Sequence, residues 1–210
     1  MRKNLFIVIE GIDGSGKSTQ IERLKENLEK EGHKVKTTFE PTDGPIGKLI
    51  RKIFKHEVPA DQHTIAGLFL ADRLEHILNP EEGLLKWLED GYTVISDRYY
   101  FSSYAYHGVH VDMQWVISCN TKCAEFLRPD VNIYIDVLPE VSMKRLQKGR
   151  DALEMYETLD NLTKVRDAYL KAFELAGEKE IIEKVNGDRY PEDIAADIWS
   201  LIQSRIQNNY

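Results

Sequence analysis

Cysteine is scarce: Cys119 and Cys123 are the only two in 210 residues. That scarcity excludes a disulfide framework, and no second Cys or His pair at zinc-type spacing accompanies them. Their C-x₃-C spacing places them on one face of a helix, as small buried residues of a reducing compartment. His107 and His110 would share a helical face as metal ligands, but no carboxylate or thiol stands at ligand spacing beside them. Long apolar runs are lacking too. None approaches the roughly 20 residues that span a bilayer, so no membrane partner is expected. Arg2-Lys3 ahead of Leu5–Ile9 imitates the start of a secretion signal, yet Glu10 ends the run too early. A cytoplasmic location is therefore expected. There is no excess of basic charge: the net charge is −7, whereas a general nucleic-acid scaffold needs a basic face. No nucleic-acid partner is expected, and any anionic substrate must be met by a few placed Arg and Lys residues. No repeat, low-complexity tract or Pro/Gly/Ser linker interrupts the chain. With 42% apolar and 30% charged residues, it has the composition of an ordinary globular protein, expected as a single domain over 1–210.

What is present starts with "FIVIEGIDGSGKSTQ", residues 6–20. Leu5 to Ile9 is β-branched-rich, as a buried parallel strand should be. Gly11-x-x-x-x-Gly16-Lys17-Ser18 follows, the spacing of a loop that cradles phosphates between a strand and a helix. Gly11, Gly14 and Gly16 let backbone amides turn inward, while Ile12, Asp13 and Ser15 fill the variable positions. Lys17 would reach the β- and γ-phosphates of ATP, and the Ser18 hydroxyl would bind Mg²⁺. Thr19 closes the site at the start of the helix, whose unpaired N–H groups favour anions. Ile21, Leu24 and Leu28 then recur at helical spacing.

Further strands are expected at 34–39, 92–97, 131–137 and 180–186, besides the first at 4–10. Helical patterns lie between them, which implies an α/β fold with a parallel sheet covered on both faces. From Arg189, "RYPEDIAADIWSLI" starts a last helix that buries Ile194, Ile198 and Leu201. In such sheets function gathers at the C-terminal ends of the strands. The third strand ends in Asp97-Arg98. Asp97 suits Mg²⁺ or its waters, or else a plain helix N-cap. Arg98 beside it is a natural partner for a second anionic group.

The motifs "EGIDGSGKST", "EPTDGPIGKLIRK" (40–52), "FLADRLEHI" (69–77), "DRYYFSSYAYHG" (97–108) and "YIDVLPE" (134–140) occur in order over nearly the whole chain. In these the sequence resembles thymidylate kinase, a family of P-loop nucleoside monophosphate kinases. The resemblance implies a three-layer α/β/α P-loop NTPase fold with a five-stranded parallel sheet and a short lid at about 144–157. It implies transfer of the γ-phosphoryl of ATP, with Mg²⁺, to dTMP, and a homodimer. Phe69 would stack on thymine and Arg73 would donate to O4 of the base. Such a donor suits thymine and conflicts with the amino group of cytosine. Arg98 would bind the monophosphate, with Arg51 nearby. Asp13 would accept from the deoxyribose 3′-OH, and Tyr106 would fill the space of a ribose 2′-OH. Ser103 and His107 would lie along the base edge. Histidine titrates near neutrality, so dTMP affinity would depend on pH through His107.

Three positions depart from the family pattern. Phe39 stands where an Arg usually precedes Glu-Pro, His107 replaces a common Gln, and Met155 replaces a lid Arg. The phosphate loop carries no cation but Lys17, so the lid should supply the transition-state arginine. In "KRLQKGRDALEMYE", residues 144–157, Arg150 follows Gly149 and is the first choice, with Arg145 the alternative; a solvated basic face is the competing reading. Two other functions remain open. One is a kinase for another monophosphate such as UMP or CMP, or for a deoxynucleoside. The other is a non-catalytic nucleotide switch, although no Asn-Lys-x-Asp segment or ABC-type signature is present.

Overall fold

Neighbouring residues of Leu5–Ile9 point to opposite faces and are all apolar, so this strand needs a covering layer on each side. The computed structural model, which describes residues 4–149 and 156–208, provides both layers. Five strands, β1 (Phe6–Glu10), β2 (Val35–Phe39), β3 (Thr93–Asp97), β4 (Val131–Asp136) and β5 (Ile182–Asn186), form one sheet in the order β2-β3-β1-β4-β5. All neighbouring pairs are parallel. Every strand expected from the sequence is present, each shortened at one end by one or two residues and unchanged at the other. β1 is central and wholly buried, whereas the edge strands β2 and β5 are only half-buried.

On one face, Leu5, Ile7 and Ile9 pack against Ile21, Leu24 and Leu28 of α1 (Lys17–Lys30) and Ile194, Ile198 and Ile202 of α9 (Pro191–Asn208). Leu201, expected in that core, is half-buried and Ile202 takes its place. On the other face, Phe6 and Val8 meet a larger aromatic core. It is built by α3 (Gln62–Leu78), α4 (Leu84–Glu89), α5 (Tyr100–Gly108), α6 (Met113–Phe126) and α8 (Leu159–Ala176). α2 (Pro45–Phe54) adds a small cluster, in which Ile50 and Ile53 pack on Ile65 and Phe69 of α3. α7 (Pro139–Gly149) follows β4. This is the α/β/α architecture of P-loop NTPases.

The strand order sets the site. The chain leaves β1 for β2 at one edge, returns to β3 beside β1, and then crosses to β4 on β1's other side. The C-terminal end of β1 is thus where connections diverge, which opens a crevice. Register brings Ile9 level with Asp97 and Glu10 level with Tyr134. Cys119 is half-buried and Cys123 buried on α6, both as free thiols. Among the described residues, no cluster of three or more His, Cys, Asp or Glu residues could hold a metal, so His107 and His110 form no such site. No helix among them is long and apolar enough to cross a membrane.

Candidate active site

The phosphate loop bends as its glycines allow. Gly14 has φ +76°, and a Cβ there would lie 2.9 Å from the carbonyl of Ser142. Gly16 has φ +97° and caps α1 in a left-handed conformation that other residues rarely adopt. The Lys17 ammonium curls back to the carbonyls of Gly11 (3.2 Å) and Ile12 (3.4 Å) and stands 3.9 Å from Asp97 Oδ1. Burial, and then repulsion from Arg98, lower its pKa. Around the loop opens a cavity of about 760 Å³, lined by Gly14, Gly16, Lys17, Ser18, Thr19 and Asp97, among others. Gly11, Ile12 and Ser15 are not part of this wall. Ile12 was expected at the nucleotide, but its side chain belongs to the core, and only its carbonyl serves the loop.

A second cavity of about 450 Å³ adjoins the first. Asp13, Phe39, Glu40 and Arg98 belong to the walls of both. Apolar walls come from Phe54, Phe69 and Tyr156, and polar ones from Arg51, Tyr106 and His107. Where the two meet, Arg98 Nη2 donates to Asp13 Oδ1 (2.5 Å) and to the Tyr106 hydroxyl (3.2 Å). That hydroxyl donates to Asp13 Oδ2 (2.8 Å) and accepts from the Asp13 amide (3.1 Å). Burial alone would raise the Asp13 carboxyl, but the cations Arg98 and Lys17 outweigh it and hold Asp13 below its usual range. Arg51 reaches the same cavity from α2 and donates to the carbonyls of Pro41 (2.7 Å) and Thr42. Phe39 remains 44% exposed and forms an apolar shared wall where a cation was missed from the pattern.

Arg73 is not at the wall. It is fully buried behind it, bonded to Glu40 through Nε (2.8 Å), to Asn120 (2.5 Å), and to the Tyr99 carbonyl (3.1 Å) and Ser103 hydroxyl (3.0 Å) through Nη2. Glu40 also meets His76 Nδ1 at 3.1 Å, whose other nitrogen meets Thr38 at 2.8 Å. Arg73 and Ser103 thus brace the end of β2, α3, α5 and α6 together, and the direct base contacts expected of both are absent from the cavity surface. No local pattern singles out Glu40, His76 or Asn120 as this brace. Phe54 and Ser102 were missed as lining residues too, although helical spacing from Arg51 and Tyr106 would have pointed to them.

His107 does line the second cavity, its ring centroid 4.7 Å from that of Phe69. The expected titration near neutrality is overturned. Burial, then the positive charge of Arg73, push its pKa down to about 3, so the ring is neutral at physiological pH. Its Nδ1 is buried without a hydrogen-bond partner among the described residues. The dTMP KM is expected to show no His107-dependent change between about pH 6 and 8; parallel KM profiles for wild type and His107→Gln check this, and a wild-type inflection near pH 6.5 missing from the variant contradicts it. Stability should behave differently: below pH 6.5 the unfolded chain binds a proton that the folded one refuses, so stability is lost as the pH is lowered from about 6.5 toward 3 and is regained as it rises.

Arg145 on α7 lines the first cavity but is tied to its far side, with the carbonyls of Ser15 (3.4 Å) and Gly187 (3.0 Å) accepting from it. Arg150 and Met155, and with them much of the expected lid, lie outside the described residues. Asp97 Oδ1 is buried, 3.9 Å from the Lys17 ammonium, and accepts no hydrogen bond among the described residues. In the same cavity wall as Ser18, such a carboxylate oxygen fits a hard divalent cation, which takes oxygen ligands.

A family model described as thymidylate kinase matches residues 9–198. A probable thymidylate kinase of Pyrococcus horikoshii is 38% identical, over 97% of this chain and 98% of its own. That of Thermococcus gammatolerans is 41% identical over 96% and 97%, and that of Pyrobaculum aerophilum 39% over 96% and 98%.

Proposed function

Because this chain belongs to the thymidylate kinase family, we propose that it transfers the γ-phosphoryl group of ATP to dTMP, releasing ADP and dTDP in deoxythymidine nucleotide synthesis. The observation that carries this reading is the pair of cavities with Asp13 and Arg98 in their common wall. A nucleoside triphosphate in the phosphate loop and a monophosphate beside Phe69 would bring their phosphates together there. An oxygen of the dTMP phosphate attacks the γ-phosphorus, and the bond to the bridging β–γ oxygen breaks, leaving ADP. The acceptor is already anionic, so the protein's task is to align two polyanions and neutralise their repulsion. Lys17 serves the donor phosphates and Arg98 the acceptor. Mg²⁺ would be held by Ser18 and Asp97 and would neutralise charge on the donor phosphates.

In the second cavity, Phe69 offers its ring to thymine and neutral His107 faces the base edge. The Asp13 carboxylate is set to accept from the 3′-OH, while Tyr106, fixed against it, occupies the space of a 2′-OH. Arg51 adds positive charge at the same cavity. Arg73 and Ser103 act from behind, keeping α3 and α5 in place. The enzyme is cytoplasmic in this reading and forms the homodimer that the family resemblance implied. Exposed Leu78, Trp115 and Phe126 on α3 and α6 are apolar surface for a second copy to cover.

Release of ADP with a panel of monophosphates tests the reading. dTMP should turn over best, dUMP less well, and dCMP and AMP near background; faster turnover of AMP or CMP than of dTMP would reassign the substrate. The lid has its own test. Arg145 is occupied by backbone carbonyls, which favours Arg150 as the transition-state cation. Arg150→Ala should lower kcat by about 10²-fold with dTMP KM little changed. A loss below about threefold would pass the role to Arg145.

A further inference from the structure

Arg98 has a left-handed backbone, φ +73°, which is costly for a residue with a side chain and persists only where the surroundings enforce it. Its Nη1 donates to the Gly11 carbonyl (3.2 Å), the Ser102 hydroxyl (3.0 Å) and the Tyr169 hydroxyl (3.3 Å). A guanidinium only donates, and Nη1 divides its two N–H groups among these three acceptors. The two hydroxyls stand 2.7 Å apart, where either can donate to the other, and both reach one carboxylate oxygen. Glu10 Oε2 lies 2.6 Å from the Ser102 hydroxyl and 2.9 Å from that of Tyr169. Its other oxygen accepts the amides of Tyr99 (3.0 Å) and Ser102 (3.2 Å). Glu10 has no exposed surface.

Ser102 follows Arg98 by one helical turn, whereas Tyr169 arrives from α8. Its ring is fully buried, with centroids 5.0 Å from Tyr134, 5.8 Å from Phe173 and 6.3 Å from Tyr106. Packing therefore fixes where the hydroxyl stands, before any ligand arrives. Such preorganisation lowers the cost of ordering a binding group.

We propose that Tyr169 is a positioning residue for the acceptor phosphate, its hydroxyl relaying Arg98 to Glu10 and holding the guanidinium at the junction of the two cavities. The role rests on the reading above that Arg98 binds the dTMP phosphate. It also ties α8, the helix that follows the cavity-lining pair Tyr156-Glu157, to the group that grips the acceptor.

The test compares affinities for dTMP and thymidine, which differ only by the phosphate. Tyr169→Phe keeps the ring and removes the hydroxyl. It should weaken dTMP binding about tenfold, with thymidine binding changed less than about twofold. Repeated in an Arg98→Ala background, the substitution should cost dTMP less than about twofold, because the coupling partner is gone. Glu10→Gln, which spares the Tyr169 ring, should give the same phosphate-selective loss and decides the matter if Tyr169→Phe fails to melt cooperatively. Equal losses for thymidine and dTMP, or a loss undiminished without Arg98, would overturn the proposal. If instead Arg98→Ala by itself leaves the dTMP-to-thymidine ratio unchanged, the acceptor role of Arg98 falls.

Discussion

Arg98→Ala is expected to lower kcat/KM for dTMP by about 10³-fold in a protein that still melts cooperatively. The guanidinium stands where the two cavities meet, 2.5 Å from Asp13. It is the cation best placed to offset repulsion between donor and acceptor phosphates. Loss of a contact that strengthens as charge shifts lowers kcat and kcat/KM together. Part of the effect should appear in KM, since Arg98 also holds dTMP in the ground state. The fold should survive, because Asp13 keeps its bond to Tyr106 and the apolar layers do not depend on Arg98. Steady-state kinetics with a melting curve check this. Near-normal turnover in a folded variant would remove Arg98 from the acceptor site.

Lys17→Ala should cost about 10³-fold in kcat. Lys17 is the one cation inside the phosphate loop, and its ammonium is held at the loop's mouth by the carbonyls of Gly11 and Ile12. Those bonds are the ones a phosphate oxygen would replace. Asp97, Asp13 and Glu10 all favour its charged form, against burial and Arg98. Removing the ammonium leaves Asp97 Oδ1 without its neighbouring cation, so a modest fall in melting temperature is expected beside the loss of turnover. The check is kcat at saturating ATP with the melting curve. Turnover within about threefold of wild type would contradict the role.

The architecture was readable because each strand is a short run, apolar in the centre of the sheet and mixed at its edges, ended by Gly, Asp or Pro, and each helix repeats at its own period. Phosphate-loop residues were readable for a related reason: their function depends on spacing along one continuous segment. Phe69, Arg51, Tyr106 and His107 do line one cavity, as the family motifs implied. What the chain did not disclose is how side chains from separate elements meet. Arg73 looks the same in sequence whether it faces a base or is clasped by Glu40 and Asn120. His107 looks titratable until its burial beside Arg73 is known. Tyr169 reads as one more apolar position of α8, yet its hydroxyl ends at Arg98 and Glu10. Long-range contacts and burial decide these roles, and neither has a local signature.

Adenosine and thymidine joined through a chain of five phosphates would occupy both cavities at once if their phosphates meet at Asp13 and Arg98. Calorimetry of this compound against ATP and dTMP singly should show binding at least about 10²-fold tighter than either, because one ligand gains both sites for a single cost of association. It should also lose most of that advantage in Arg98→Ala. Binding no tighter than that of ATP alone would mean that the two cavities do not form one path for phosphoryl transfer.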